Sequence, residues 1–203
     1  MIVPTPESFL KDVSNHSLKI LKDDGVYRHL VATNQGSSVN RFEIVTYPNY
    51  LVVCGDMGDF LFRRLFDMFT FFRDLPNMSY AEEKCEAGET RQFCPETAME
   101  SVIDRVAECW DKSKSELTPE ELEDIQSLSI ETSDEYAFMD SINDLCQWPD
   151  LQVGDKLCEG FQEDFYPTLD ARTYRFEWCV RAIHWAIQEY DKQKATCNEQ
   201  VSN

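Results

Sequence analysis

The spacing of apolar residues in the first third of the chain predicts one helix followed by an antiparallel β-meander. In PESFLKDVSNHSLKILKDD the apolar residues recur at roughly helical intervals, with a break around Asn15. Turn-forming residues then separate four β-rich runs: 25–33, 40–47, LVVC and FLFRR. A strongly apolar run at 65–75 predicts a second helix that covers one face of the resulting sheet.

The middle of the chain carries three helical patterns with recognisable start signals. In PETAMESVIDRVAECWDK, Thr97 is followed three residues later by a glutamate, which is a capping-box pattern. In ELTPEELEDIQSL, Thr118 suits the N-cap, proline follows at the first helical position, and Glu121 completes a second capping box. A third helix is predicted over 133–147, and loops are predicted around QVGDK and FYPTLD.

The last predicted helix, 173–193, is apolar around most of its circumference, which indicates a buried position against the sheet. Its polar residues form a single stripe at helical spacing: Glu177, Arg181, His184, Gln188 and Asp191. These patterns together predict an α+β fold, in which an antiparallel four-stranded sheet is packed by helices and an acidic helical subdomain is inserted. The predicted domains are a core body at 1–75 plus 172–203 and an acidic helical insertion at 76–171.

Charge is distributed very unevenly along the 203 residues, whose formal net charge is −19. The segment 76–171 contains 25 Asp and Glu residues against 6 Lys and Arg residues, so it holds the whole imbalance. The flanking segments are close to neutral. Since phosphates would be repelled by such a segment, direct nucleic-acid binding is disfavoured.

The sequence also argues against a membrane protein, a secreted protein and a metal site. The apolar runs are too short to span a membrane, and the N-terminal residues lack the features of a signal peptide, so we expect a cytoplasmic protein. The eight cysteines include no C-x-x-C pair and no ligand-spaced histidine, so neither a zinc site nor another metal site or cofactor is expected.

Two short motifs have both a chemical and a structural interpretation. In CGDMGDF, Asp56 and Asp59 offer carboxylates to a hard cation, but two glycines between two strands also predict a plain turn. Glu177, Arg181 and His184 share a helix face and suit acid–base chemistry, whereas the structural alternative is a salt-bridged stripe.

The carboxylates of the insertion give a further hypothesis. Positions 100, 104, 108 and 111 form one stripe at i, i+4, i+8 and i+11, with a spacing of about 6 Å per step. This spacing is close to the phosphate spacing of about 7 Å along a nucleic-acid strand, and long-range attraction would steer such a surface toward a basic groove. The alternative is a solvated face that only keeps the protein soluble.

Two regions resemble a known family. The segment DGVYRHLVAT…NRFEIVTYPNYLVVCGDMGDFLFRRLFDMFTFFR and the C-terminal RFEWCVRAIHWAIQEYD resemble small proteins encoded widely by tailed phages and prophages of enteric bacteria. The resemblance covers about a third of the chain and implies a phage accessory protein acting in the host cell. Threonine is commoner in that family where this chain has Asp59, which argues against a site that needs both aspartates. The family supplies no catalytic residues.

The expected function is therefore a non-enzymatic, DNA-mimic-like phage inhibitor of anti-CRISPR or anti-restriction type. Its partner would be a basic nucleic-acid-binding protein or complex in the cytoplasm of the bacterial host. The expected contact residues are Glu100, Asp104, Glu108, Asp111, Glu120, Glu121, Glu123 and Asp124. Two alternatives stay open: a small metal-dependent or acid–base enzyme using Asp56, Asp59 or His184, and a phage adaptor that binds through an aromatic surface.

Overall fold

The computed structural model describes residues 3–147, 150–159, 161 and 165–201, and the fold is α+β. Two compact units are present. The body comprises Ile2–Thr90 and Arg172–Asn203, and the acidic unit comprises Arg91–Ala171. In chain order the elements are α1 (Pro6–Asp12), β1 (Ser17–Asp24), β2 (Tyr27–Thr33), β3 (Phe42–Tyr47), β4 (Tyr50–Gly55), β5 (Phe60–Arg63), α2 (Met68–Phe72), α3 (Met78–Glu83), β6 (Cys85–Ala87), β7 (Arg91–Phe93), α4 (Pro95–Cys109), α5 (Pro119–Gln126), α6 (Glu135–Cys146), β8 (Asp150–Val153), β9 (Lys156–Glu159), β10 (Asp170–Arg172) and α7 (Tyr174–Val201).

The body contains a six-stranded sheet in the order β1-β2-β3-β4-β5-β6, so every strand pairs with its neighbour in sequence. All five pairings are antiparallel. The antiparallel sheet packed by helices confirms the predicted fold class, but the predicted number of four strands is wrong. The four central strands lie where they were predicted, and the two additional strands, β1 and β6, lie at the edges.

Strand β1 replaces the second half of the predicted N-terminal helix. Helix α1 begins after Thr5, whose hydroxyl accepts the N–H of Ser8, and it ends at Asp12. Leu18 and Ile20 then point toward the core with a lysine between them, which is the alternation of a strand. Gly25 has a φ of +60°, and it lies in a two-residue loop that joins β1 to β2.

Helix α7 packs on the buried face of the sheet, as its apolar circumference predicted. Trp178 is fully buried, and its ring lies edge-on to Phe42 of β3 at 5.7 Å and to Phe9 of α1 at 5.3 Å. Its indole N–H donates to Asp12 at 3.0 Å. Full burial of a large apolar side chain contributes about 1.5–3 kcal/mol, so this aromatic cluster is a principal stabilising contact of the body. Helix α2 is shorter than the predicted 65–75 because Asp67 caps its start.

The acidic unit has its own apolar core between its helices and a β-hairpin. Residues that α4, α6 and the hairpin β8–β9 contribute to this core include Val102, Val106, Phe138, Ile142, Leu151 and Val153. The hairpin corrects the predicted loop at QVGDK, and Gly154, with a φ of +58°, lies in its turn. The capping box of Thr118 and Glu121 is confirmed, whereas α4 begins after Cys94 rather than at Thr97. Within the described residues, the structure contains no helix long and apolar enough to cross a membrane.

Candidate functional site: the carboxylate surface of the acidic unit

Helix α4 presents three of the four predicted stripe residues on one exposed face. Glu100, Asp104 and Glu108 are all exposed, one helical turn apart. The helix ends at Cys109, so Asp111 is not its continuation. Asp111 lies in the turn after the helix, exposed and with a φ of +53°. The stripe is therefore helical over three residues and is extended by a fourth carboxylate in the turn.

Two of these four carboxylates have ionic partners. Lys114 Nζ lies 3.1 Å from Glu100 Oε1, and Arg105 lies 3.5 Å from Glu108 Oε2. The carboxylates of Asp104 and Asp111 make no ion pair or hydrogen bond with any described residue. Exposed ion pairs contribute at most about 1 kcal/mol, so all four carboxylates are accessible to a competing cation.

Glu121 differs from the other predicted contact residues because it is buried, with 8% of its surface exposed. Its carboxylate lies 2.7 Å from Lys112 Nζ, contacts Lys156 Nζ and accepts the backbone N–H of Thr118 at 2.8 Å. The hydrogen bond from Lys112, and then those from Lys156 and Thr118, lower the pKa of Glu121 to about 2. Glu121 is thus ionised and engaged inside the unit.

The remaining three predicted contact residues lie on α5. Glu120 and Glu123 are exposed, and neither forms an ion pair with a described residue. Asp124 is half-buried, and its side chain packs against Gly154, where a Cβ would lie 2.0 Å from Asp124 Oδ2. Of the eight predicted residues, Glu121 and Asp124 are therefore held by the fold, and six face solvent.

An apolar groove adjoins the α4 stripe, and the sequence did not reveal it. The groove has a volume of about 740 Å³. Apolar side chains that line it include Met99, Ile103, Leu122, Leu128 and Ile130, and Glu100 and Lys114 also border it. Met99 and Ile103 each lie next to stripe positions on α4, and Leu122 lies between two α5 acids. The groove thus places an apolar surface beside Glu100, one of the stripe acids of α4.

Every basic residue of the acidic unit forms an ion pair with a carboxylate of the same unit. The unit contains 5 Lys and Arg residues against 21 Asp and Glu residues. Its ion pairs are Arg91–Asp170, Arg105–Glu108, Lys112–Glu121, Lys114–Glu100 and Lys156–Glu121. The exposed acids that form no ion pair with a described residue are Asp104, Asp111, Glu116, Glu120, Glu123, Glu131, Asp134, Glu135, Asp140, Asp144 and Asp155. The surplus negative charge therefore lies on the solvent-facing surface.

The glycine-rich loop CGDMGDF forms the turn between β4 and β5. Asp56 Oδ2 accepts the N–H of Asn40 at 2.8 Å, and Asp59 Oδ1 accepts the N–H of Gly55 at 3.3 Å. A Cβ on Gly55 would lie 2.2 Å from the carbonyl oxygen of Arg41, so the backbone packs there at a distance only glycine permits. Both aspartates thus stabilise the turn, and the described residues contain no group of three side chains that could hold a metal ion.

Glu177, Arg181 and His184, the residues predicted to act together on α7, form no hydrogen bond or ion pair with one another. Glu177 is buried and pairs with Arg172 at 3.0 Å rather than with Arg181. His184 Nδ1 lies 3.1 Å from the carbonyl oxygen of Phe72. Cys179 is buried, and burial raises the pKa of its thiol to about 12, so the nucleophilic thiolate is disfavoured.

His29 on β2 pairs with Glu43 on β3, with 2.7 Å between Nε2 and Oε2. Hydrogen bonds from His29 and Arg41 lower the pKa of that carboxyl. This pair lies between neighbouring strands β2 and β3, which is the position of a cross-strand contact.

Searches against protein-family models, curated proteins and solved structures find no match for this chain.

Proposed function

We propose that this protein is a non-enzymatic phage inhibitor whose acidic unit occupies a basic nucleic-acid-binding surface of a bacterial defence complex, of anti-CRISPR or anti-restriction type. One observation carries the proposal. All five cations of the acidic unit pair with its own carboxylates, which leaves a surplus of exposed carboxylates that form no ion pair with a described residue.

The arrangement of these charges suits a site that normally holds a nucleic-acid backbone. Successive acids on α4 are about 6 Å apart along the helix axis, since each residue rises 1.5 Å. A groove that binds nucleic acid is lined with Lys and Arg side chains, and these attract a row of anions over a long range. Glu100, Asp104 and Glu108 offer such a row on a rigid element, so binding would exclude the nucleic acid by occupancy.

The apolar groove adds contacts that charge alone does not supply. Electrostatic complementarity mainly accelerates association and selects partners, whereas buried apolar area holds a complex together. The half-buried side chains of Met99, Leu122 and Ile130 provide that area beside Glu100. The acidic unit thus combines long-range steering with a short-range docking surface. The resemblance of both ends of the chain to phage and prophage proteins supports a bacterial host as the setting.

The test combines affinity capture with charge reversal. The tagged protein is incubated with bacterial lysate at about 50 mM and about 300 mM salt, since screening strengthens over this range. We expect nucleic-acid-binding proteins to be enriched at low salt and lost at the higher salt. A triple variant, Asp104→Lys with Glu120→Lys and Glu123→Lys, should abolish the capture.

The matched control changes the net charge of the body by the same amount. Asp74, Glu86 and Glu89 are exposed acids of the body, and the triple substitution to lysine there should leave the capture intact. Equal loss of capture in both triple variants would show that capture depends only on the net charge of the protein. Capture that persists at high salt and in the α4–α5 variant would instead support an adaptor that binds through apolar and aromatic surface.

A further inference from the structure

Arg181 stands apart from the other polar residues of α7. Glu177, His184, Gln188 and Asp191 each contact a named partner: Arg172, the Phe72 carbonyl, the Arg73 carbonyl and the Arg73 guanidinium, respectively. Arg181 makes no hydrogen bond or ion pair with a described residue, and its Nε is buried without a partner. A partly buried cation without a hydrogen-bond acceptor is unfavourable, because its lost hydration is not replaced.

Arg181 lines a groove of about 440 Å³ in the body. Its apolar lining comes from α1, α7 and the segment after α2, and consists of Pro6, Phe9, Leu10, Leu75 and Trp185. Leu10 and Leu75 are 57% and 41% exposed, so water covers apolar surface at this groove. His184, Gln188, Glu189 and Lys192 also line the groove. A volume of this size that combines apolar walls with several polar groups is typical of small-molecule sites.

The other charged groups at the groove leave Arg181 as its unpaired charge. Lys192 lies 2.6 Å from Glu189, so these two neutralise each other. Hydrogen bonds to its own backbone and to Thr5 lower the pKa of the exposed Glu7, and Arg181 adds a smaller attraction at longer range. The groove therefore offers one cation beside apolar walls.

We propose that this groove binds a monocarboxylate with an apolar chain, of the medium-chain fatty-acid class. The carboxylate would supply the acceptor that Arg181 lacks, since guanidinium and carboxylate match in a two-hydrogen-bond geometry. The chain would cover Leu10, Leu75 and Trp185. A single unpaired cation with Glu189 at the same groove suits one negative charge and disfavours polyanions. This site lies in the body and does not depend on the function proposed for the acidic unit.

Calorimetric titration of the full chain tests the proposal, with octanoate as the probe and 1-octanol as its uncharged counterpart. We expect saturable binding of octanoate at one site and binding of octanol at least tenfold weaker, because a charge-assisted hydrogen bond is lost. Arg181→Gln should weaken octanoate binding at least tenfold and leave octanol binding unchanged. Arg175→Gln is the matched control, because Arg175 is exposed on the same helix and does not line the groove; its effect should stay within twofold.

A second variant does not depend on the tolerance of α7 to substitution. Leu10 is exposed at the groove, and Leu10→Asp places a negative charge beside the expected chain, so octanoate binding should fall at least tenfold. The proposal is overturned by the absence of saturable octanoate binding, by octanol binding as tightly as octanoate, or by equal effects of Arg181→Gln and Arg175→Gln. Octanoate affinity that is unchanged in Leu10→Asp would also contradict it.

Discussion

Glu121 joins three separate pieces of the acidic unit. Its carboxylate contacts Lys112, which follows α4, and Lys156, which begins β9, and it accepts the N–H of Thr118 at the start of α5. The same side chain therefore caps a helix and fixes that helix to the hairpin. Removal of this buried carboxylate would leave two ammonium groups without a counter-charge.

We expect Glu121→Gln to lower the melting temperature of the protein clearly, since the amide cannot neutralise Lys112 and Lys156. Glu120→Gln is the control, because Glu120 is adjacent, exposed and without an ionic partner among the described residues. Surface substitutions of that kind usually change stability by less than about 0.5 kcal/mol. Thermal unfolding followed by circular dichroism measures both variants, and equal melting temperatures would refute the role assigned to Glu121.

The stabilisation by Glu121 should also depend on pH in a defined window. Its pKa is about 2 in the folded protein against an ordinary value of 4.5. A lowered folded-state pKa stabilises the protein fully above the unfolded value, and the contribution is lost as the pH falls through the folded value. The difference in unfolding free energy between the wild type and Glu121→Gln should therefore be constant above about pH 5.5 and shrink from about pH 4.5 toward pH 2. Urea titrations across this range test the prediction, and a difference that grows on acidification would contradict it.

The exposure of the solvent-facing residues of the candidate site can be predicted from the sequence, whereas the burial of Glu121 cannot. Helical spacing alone places Glu100, Asp104 and Glu108 on one face, because α4 is amphipathic and its opposite face is core. Glu121 has the same local pattern as its exposed neighbours. Its burial depends on partners that lie 9 and 35 residues away in sequence, so only the tertiary structure reveals it.

At the scale of elements, the strands with strong turn signals on both sides were predicted at their correct positions. Strands β2 to β5 have alternating apolar residues and intervening glycine or proline turns. Strand β1 was assigned to a helix because Leu18 and Leu21 fit helical spacing as well as Leu18 and Ile20 fit a strand. Gly25, the first residue of the two-residue loop Gly25-Val26, is the signal that distinguishes a hairpin from a continuing helix.

Short elements were harder to predict because their stability is tertiary. Strand β6 has three residues with a glutamate at its centre, and its pairing with β5 gives it its conformation. The hairpin β8–β9 places Leu151 and Val153 in the core of the acidic unit, but Gly154 and Asp155 at its turn are equally typical of a loop. Local propensity cannot separate these alternatives.

The turn after β4 supports a prediction at the level of the sheet. Gly55→Ala places a Cβ 2.2 Å from the Arg41 carbonyl oxygen and 2.8 Å from Phe42 Cα, so strands β3 and β4 must separate. Gly36→Ala is the control, because Gly36 also has a positive φ, of +84°, but open space around the added Cβ. Gly55→Ala should cost about 2 kcal/mol more than Gly36→Ala. Chemical denaturation measures both, and equal costs would mean that the close approach at Gly55 is not required.

At the scale of the whole molecule, we expect the two units to respond differently to ionic strength. The acidic unit contains 21 acids and 5 bases, whereas the rest of the chain contains 17 acids and 14 bases. Like charges at i and i+4 destabilise a helix by a few tenths of a kcal/mol per pair, and salt screens this repulsion. Self-repulsion therefore limits the stability of the acidic unit at low salt.

We expect amide hydrogen exchange in α4 and α5 to slow when salt rises from about 20 mM to about 300 mM, with an increase in opening free energy of roughly 1 kcal/mol. Exchange in α7 and the central strands should change much less. Exchange at low salt with added sucrose is the control for solvent exclusion, which acts on both units. A uniform response of α4, α5 and α7 to salt would refute the electrostatic explanation.

The chain enters and leaves the acidic unit on two paired strands, β7 and β10. The N–H of Thr173 donates to the carbonyl oxygen of Thr90 at 2.8 Å, and the N–H of Cys94 donates to the carbonyl oxygen of Leu169 at 2.9 Å. The two ends of the excursion are thus tied side by side, and a short connection between them would leave the path of the body unchanged. The acidic unit has the topology of an exchangeable cassette. Substitutions within it, or its replacement by another insertion, would therefore leave the sequence constraints on the sheet and α7 unchanged.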